Sequence, residues 1–155
     1  MATIRLATIP DAAAVAAVYA PYCDATVISF EETAPTADEM ARRIASIGAT
    51  LPWIVLEDDG GVIGFAYASA HNERAAYRWS VSTAIYIARS HHRRGAGRAL
   101  YTTLFALLQA LGYRQATAWW RLEGWWASLR RRRAVWGTMT RQGLGSTGTE
   151  EPGPA

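Results

Sequence analysis

The passage from Ile85 to Leu111 constrains this chain most: an apolar run, a short glycine loop and a leucine stripe follow one another. Ile85-Tyr86-Ile87 ends an alternating segment that reads as a strand. Leu100, Leu104, Leu107, Leu108 and Leu111 recur at helical spacing, and Gly112 can close that helix. Between them stands His91-His92-Arg93-Arg94-Gly95-Ala96-Gly97-Arg98. A strand that turns on glycines into a helix presents the helix's first, unpaired N–H groups at the strand end. Partial positive charge gathers there and arginines add to it, so the loop suits a pyrophosphate. Taken alone, the same residues also describe a tight turn with solvated charges.

The rest of the chain reads as an α/β protein with helices packed on a mixed sheet. Ile4–Ala7 forms a short strand, and Thr8 with Asp11 resembles a capping box. Val15, Val18, Tyr19 and Tyr22 mark one helix face, with Pro21 expected to limit that helix. Residues 24–35 read as a loop with a short extended core. Thr36 and Glu39 form a second capping box before a helix with Met40, Ile44 and Ile47 on one face, closed by Gly48. Leu51–Glu57 and Val62–Ser69 flank Asp58-Asp59-Gly60-Gly61, which predicts a hairpin. Tyr77–Ile87 is expected to be one long strand, and Tyr113–Ala118 another.

Composition narrows the partners. All 16 basic residues are arginine, and the net charge is +3. Residues 1–118 hold ten arginines against ten acids, whereas residues 119–155 hold six against three, so the tail carries the whole excess. A basic face for nucleic acid is therefore not expected on the main domain. The tail's WWRLEGWWASLRRRR, arginines interleaved with aromatics, is the one segment that would suit a nucleic-acid strand. A single cysteine, Cys23, excludes an intramolecular disulfide and fits a reducing cytoplasm. No signal-peptide pattern and no membrane-length apolar window is visible. Adjacent histidines without a nearby acid or thiol cluster do not suggest a metal.

Three ordered runs carry a resemblance: SFEETAPTADEM (29–40), YASAHNERAAYRWSV (67–81) and IYIARSHHRRGAGRALYTTL (85–104). Together they resemble the phosphinothricin acetyltransferase subfamily of the GNAT superfamily of N-acetyltransferases, over roughly residues 3–118. The resemblance implies the GNAT acyl-CoA N-acyltransferase fold and acetyl-CoA as co-substrate, with no metal. It implies that Ile85, Tyr86 and Ile87 offer backbone groups to the pantetheine arm. Arg93, Arg94, Gly95, Ala96, Gly97 and Arg98 would hold the pyrophosphate. His92 stands where the family usually has Gln or Arg. Phe30, Glu31, Arg74, Tyr77, Arg78 and Trp79 would line a site for a small, amino-acid-like amine; arginine can bind a carboxylate or phosphinate bidentately. A homodimer is compatible with the resemblance.

Acetyl transfer to an amine needs a proton acceptor, an oxyanion donor and a leaving thiolate. The Ile87 N–H is the candidate oxyanion donor. The family's general-base carboxylate falls at Ser82, within Arg78-Trp79-Ser80-Val81-Ser82. A hydroxyl is a poor base without a partner. Glu31, Glu32, Glu73 and His71 are the candidate substitutes, and Ser82 could also order a water. Without a substitute, the chain would bind acetyl-CoA and turn over little.

Residues 119–155 depart from the resemblance. Five of the seven tryptophans lie there, and Arg130–Arg133 replace the apolar centre of an expected helix. We expect this tail to be divergent or out of frame, with the C-terminal helix and closing strands altered or missing, and residues 143–155 to be disordered.

Overall fold

The structure, a computed structural model, describes residues 2–113, 119, 121–123, 125 and 126. Its elements in chain order are β1 (Thr3–Leu6), α1 (Ala12–Asp24), α2 (Ala37–Gly48), β2 (Trp53–Asp58), β3 (Gly61–Ala70), β4 (Val81–Ile87) and α3 (Ala96–Ala110). The four strands pair antiparallel in the order β1-β2-β3-β4. The α/β reading holds. Helices α1 and α2 cover one face of the sheet and α3 the other.

Local chemistry sets each junction. Thr8 caps the turn before α1: its N–H and hydroxyl both donate to the Asp11 carboxylate, at 2.7 and 2.9 Å. The Arg5 guanidinium straddles the same carboxylate at 2.7 Å on each side and also reaches Glu57. That guanidinium, helped by Thr8, holds the Asp11 carboxyl far below the usual carboxylate range. Pro21 lies inside α1 and does not limit it. It removes the bond to the Ala17 carbonyl, a loss of order 3 kcal/mol. Burial of Tyr22 and Cys23 beyond it outweighs that loss. At α2, the Thr36 hydroxyl accepts the Glu39 N–H at 3.2 Å. The reciprocal half of that box does not form, because Arg42 and Arg43 engage the Glu39 carboxylate.

Asp59 and Gly60 turn the β2–β3 hairpin with φ of 48° and 79°. Two positive φ values define the type I′ turn that suits the strands' twist. Strand β2 is buried on both faces: Trp53 and Val55 meet α1 and α2, while Ile54 and Leu56 meet α3. On β3, Ala66, Ala68 and Gly64 form a low surface for Leu100, Leu104 and Leu108 of α3. A Cβ on Gly64 would lie 3.0 Å from the Tyr86 carbonyl oxygen and 3.4 Å from Leu100 Cδ1. Here glycine permits the close approach of α3 to the sheet. Gly112, at φ 95°, follows the end of α3.

Two further sequence expectations need correction. Strand β4 begins at Val81, not Tyr77. Residues 77–80 turn instead, with Tyr77 N–H donating to Arg74 C=O and Ser80 N–H to Tyr77 C=O, both at 2.8 Å. A strand needs a partner, and β3 ends at Ala70 opposite Val81. Tyr113 is helical rather than extended, and residues 114–118 of the expected strand lie outside the described residues. Of the tail, residues 119, 121–123, 125 and 126 are helical, and Trp119 donates its indole N–H to Glu123 at 3.1 Å. The other tail expectations, including Arg130–Arg133 and residues 143–155, lie outside the described residues. Among the described residues no helix is long and apolar enough to cross a membrane.

Candidate active site

The site begins where β4 ends. The Ala88 N–H donates to the Ile63 carbonyl at 2.8 Å, so residues of even number on β4 turn their backbone groups toward β3. Those of Ile85 and Ile87 point the other way, to the edge that β3 does not cover. Tyr86 therefore offers β3 its backbone, and its ring packs on Tyr19, Tyr22 and Phe65. The Ile87 carbonyl is already engaged. The Tyr22 hydroxyl donates to it at 2.6 Å, and His92 Nε2 lies 2.9 Å from both of those oxygens. His92 thus braces the strand end.

The glycine loop then enters α3 through two left-handed residues, Arg93 at φ 59° and Gly95 at φ 84°. Gly95 is the N-cap and has no side chain to offer. The first intrahelical bond joins Ala99 N–H to Gly95 C=O at 3.1 Å. The N–H groups of Ala96, Gly97 and Arg98 thus have no partner within the helix. Arg93, Arg94 and Arg98 are exposed around them, while Ala96 is buried. This is an uncapped helix N-terminus with three exposed arginines on its loop and first turn, an arrangement suited to a phosphate. Among the described residues no group of three potential metal ligands gathers.

The α1–α2 face of the sheet carries the other half. Alternation along β4 places Ser82 and Ala84 on the same face as Tyr86. There Ser82 Oγ meets His71 Nδ1 at 3.1 Å. The His71 N–H bonds the Ser80 carbonyl at 3.2 Å, and its ring lies 5.6 Å from that of Tyr77. Ser82 and Ile87 are five residues apart, about 17 Å along a strand. The structure therefore does not bring these two sequence candidates to one reacting centre. Ile85, about 10 Å from Ser82 on the same edge-facing register as Ile87, is nearer.

The remaining candidates divide. Glu31 is bound by Arg43 at 2.8 and 3.1 Å and by the Tyr19 hydroxyl at 3.1 Å. Arg43 holds its carboxyl below the ordinary value, which makes Glu31 a weak proton acceptor. These bonds tie down the loop of residues 25–36, together with Ser29, which bonds Tyr19 Oη at 2.7 Å and the Glu31 N–H at 3.1 Å. With the loop so fixed, Phe30 stands fully exposed beside it. Arg74 and Arg78 lie exposed on the connection between β3 and β4, and no ion pair engages either among the described residues. Trp79 departs from the expected pocket: it packs edge-on against Tyr113, 5.8 Å away, on the α3 side of the sheet. Arg43, Tyr19 and Tyr22 were not foreseen as site residues. Their helical periodicity marks the tyrosines as core, and no spacing rule ties Arg43 to a carboxylate twelve positions earlier.

The sequence profile described as Acetyltransferase (GNAT) domain matches residues 4–119. The phosphinothricin N-acetyltransferase of Alcaligenes faecalis is 38% identical over 117 residues, covering 75% of this chain and 59% of that protein. That of Streptomyces viridochromogenes is 34% identical over 115 residues, covering 74% and 63%. The chain thus spans about three fifths of the length of these relatives. A GNAT superfamily phosphinothricin acetyltransferase from Sinorhizobium meliloti, solved in complex with acetyl-CoA, superposes with a TM-score of 0.69 at 38% identity. That match covers 72% of this chain and 62% of the solved one.

Proposed function

Because the chain belongs to the GNAT acetyltransferase family, we propose that it transfers the acetyl group of acetyl-CoA to the primary amine of a small amino-acid-like substrate, of the phosphinothricin or methionine sulfoximine type. One observation carries this reading: an uncapped, arginine-flanked helix N-terminus follows a strand whose far edge has no strand partner among the described residues. The N–H groups of residues 96–98 would receive the pyrophosphate, with Arg93, Arg94 and Arg98 neutralising its charge. Ile85 and Ile87 would hydrogen-bond the pantetheine amides through the β4 edge. Tyr22 and His92 fix the Ile87 carbonyl and so hold that edge in place. A β4 N–H would stabilise the oxyanion; Ile87 is the sequence candidate, and Ile85 is the one closer to Ser82. Phe30 and Tyr77 would wall the acceptor, while Arg74 and Arg78 are the cations that could clamp its acidic end.

The test has two parts. Calorimetric titration with acetyl-CoA measures the cofactor site directly. Release of the CoA thiol, with a panel of amines including phosphinothricin and methionine sulfoximine, measures turnover. We expect saturable binding and amine-dependent thiol release. No binding at millimolar acetyl-CoA would refute the proposal.

A further inference from the structure

The face that would receive the acceptor holds one serine and one imidazole in contact, where a carboxylate is expected from the family pattern. From this contact we infer that His71 and Ser82 form a proton-accepting pair, with the Ser82 hydroxyl facing the acceptor amine and His71 behind it. The inference rests on the acetyl-transfer reading above.

Three observations lead to it. Ser82 Oγ and His71 Nδ1 are 3.1 Å apart, within hydrogen-bond reach. The pair is built by the strand register: Ser69 pairs with Ser82, so His71 lies diagonally across on the same face. The backbone bond from His71 to Ser80 and the flanking Tyr77 ring hold the imidazole there. Of the rival acids, one is already engaged. Glu31 is committed to Arg43 and Tyr19. Among the described residues the side-chain partner of Ser82 is His71, not Glu32 or Glu73.

The chemistry balances without a further reactant. The substrate ammonium gives a proton to Ser82 Oγ, directly or through one water, as the Ser82 proton passes to His71 Nδ1. The neutral amine attacks the thioester carbon, the C–S bond breaks, and the departing CoA thiolate takes the second proton, left in excess on the new amide nitrogen. The imidazolium then returns its proton to solvent. Ser82 alone lacks the basicity for this step. His71 supplies it from behind, so Ser82 touches the substrate and His71 acts through it.

The experiment compares the full chain with H71N, S82E and H71N/S82E. Asn at 71 can keep a hydrogen bond to Ser82 but cannot accept a proton. We expect H71N to lower kcat by roughly 10²–10⁴-fold, with the Kd for acetyl-CoA changed less than about threefold. We expect S82E to restore kcat in the H71N background, because a carboxylate then stands on β4 itself. Activity of H71N within about threefold of the parent would make the contact merely structural and overturn the inference. A silent parent beside an active S82E would also overturn it and leave the acetyl-transfer reading standing. Silence from parent and S82E alike would sink both readings together, and acetyl-CoA binding would then show whether the cofactor site survives.

Discussion

Replacing Asp11 with Asn tests how β1 is tied to α1. The Asp11 side chain is 9% exposed and collects four donors: Arg5 twice, the Thr8 N–H and the Thr8 hydroxyl. Three of the four fall on Oδ2 and one on Oδ1. An Asn oxygen in the Oδ2 place keeps three contacts in neutral form and turns its NH₂ against the second Arg5 nitrogen. Hydrogen bonds to a charged acceptor contribute about 1.5–3 kcal/mol and neutral ones about 0.5–1.5. The change should therefore cost about 2–3 kcal/mol near pH 7. The lower end is favoured, because Arg5 is 35% exposed and keeps Glu57 as a partner. For a chain of this size that corresponds to a fall of roughly 4–12 °C in Tm.

The effect must also depend on pH with a definite sign. Arg5 depresses the folded carboxyl below its unfolded value, so the stabilisation is complete above the unfolded pKa, about 3.9. It is lost as pH falls below that value toward the lower folded one, because the unfolded chain takes up the proton first. The asparagine variant has no such proton. Thermal unfolding by circular dichroism between pH 7 and pH 3 should show the gap between the two proteins narrowing on the acid side. A fall of less than about 1 °C at pH 7, or a gap that stays constant to pH 3, would refute the assigned network.

Other perturbations probe the site. Gly64→Ala places a methyl 3.0 Å from the Tyr86 carbonyl oxygen and 3.2 Å from Ile87 Cγ1; overpacking should cost about 1–3 kcal/mol by thermal melt and weaken acetyl-CoA binding by shifting the β4 end. Gly95→Ala meets no atom within 4 Å but must hold φ near 84°; we expect a loss of about 1 kcal/mol and a weaker Kd for acetyl-CoA by calorimetry, and unchanged affinity would argue against the loop. Arg43→Ala releases Glu31; limited proteolysis should then cut within residues 25–36 faster than in the parent, and equal rates would mean that the loop is anchored otherwise.

Much of the fold was legible because its signals are local. The α3 leucines, the Thr36 cap and the Asp59-Gly60 turn each depend on a few neighbouring residues. The glycine loop was legible for the same reason: strand, turn and helix start are consecutive. Alternation failed at Tyr77–Ser80, since it reports which face a side chain would take and not whether a partner strand is present. Pro21 misled because the cost of a proline is local, whereas the burial that offsets it comes from the sheet.

The sequence by itself therefore determined the order of elements from β1 to α3, the family to which the chain belongs, and the glycine loop proposed for a pyrophosphate. Only the tertiary structure decided which side chains meet. His71 reaches Ser82 across eleven positions, Arg43 reaches Glu31 across twelve, and Tyr22 reaches the Ile87 carbonyl across sixty-five. Each of these contacts follows from strand register or from how a helix seats on the sheet. Burial and pairing over the whole chain fix those quantities, and no short window of sequence contains them.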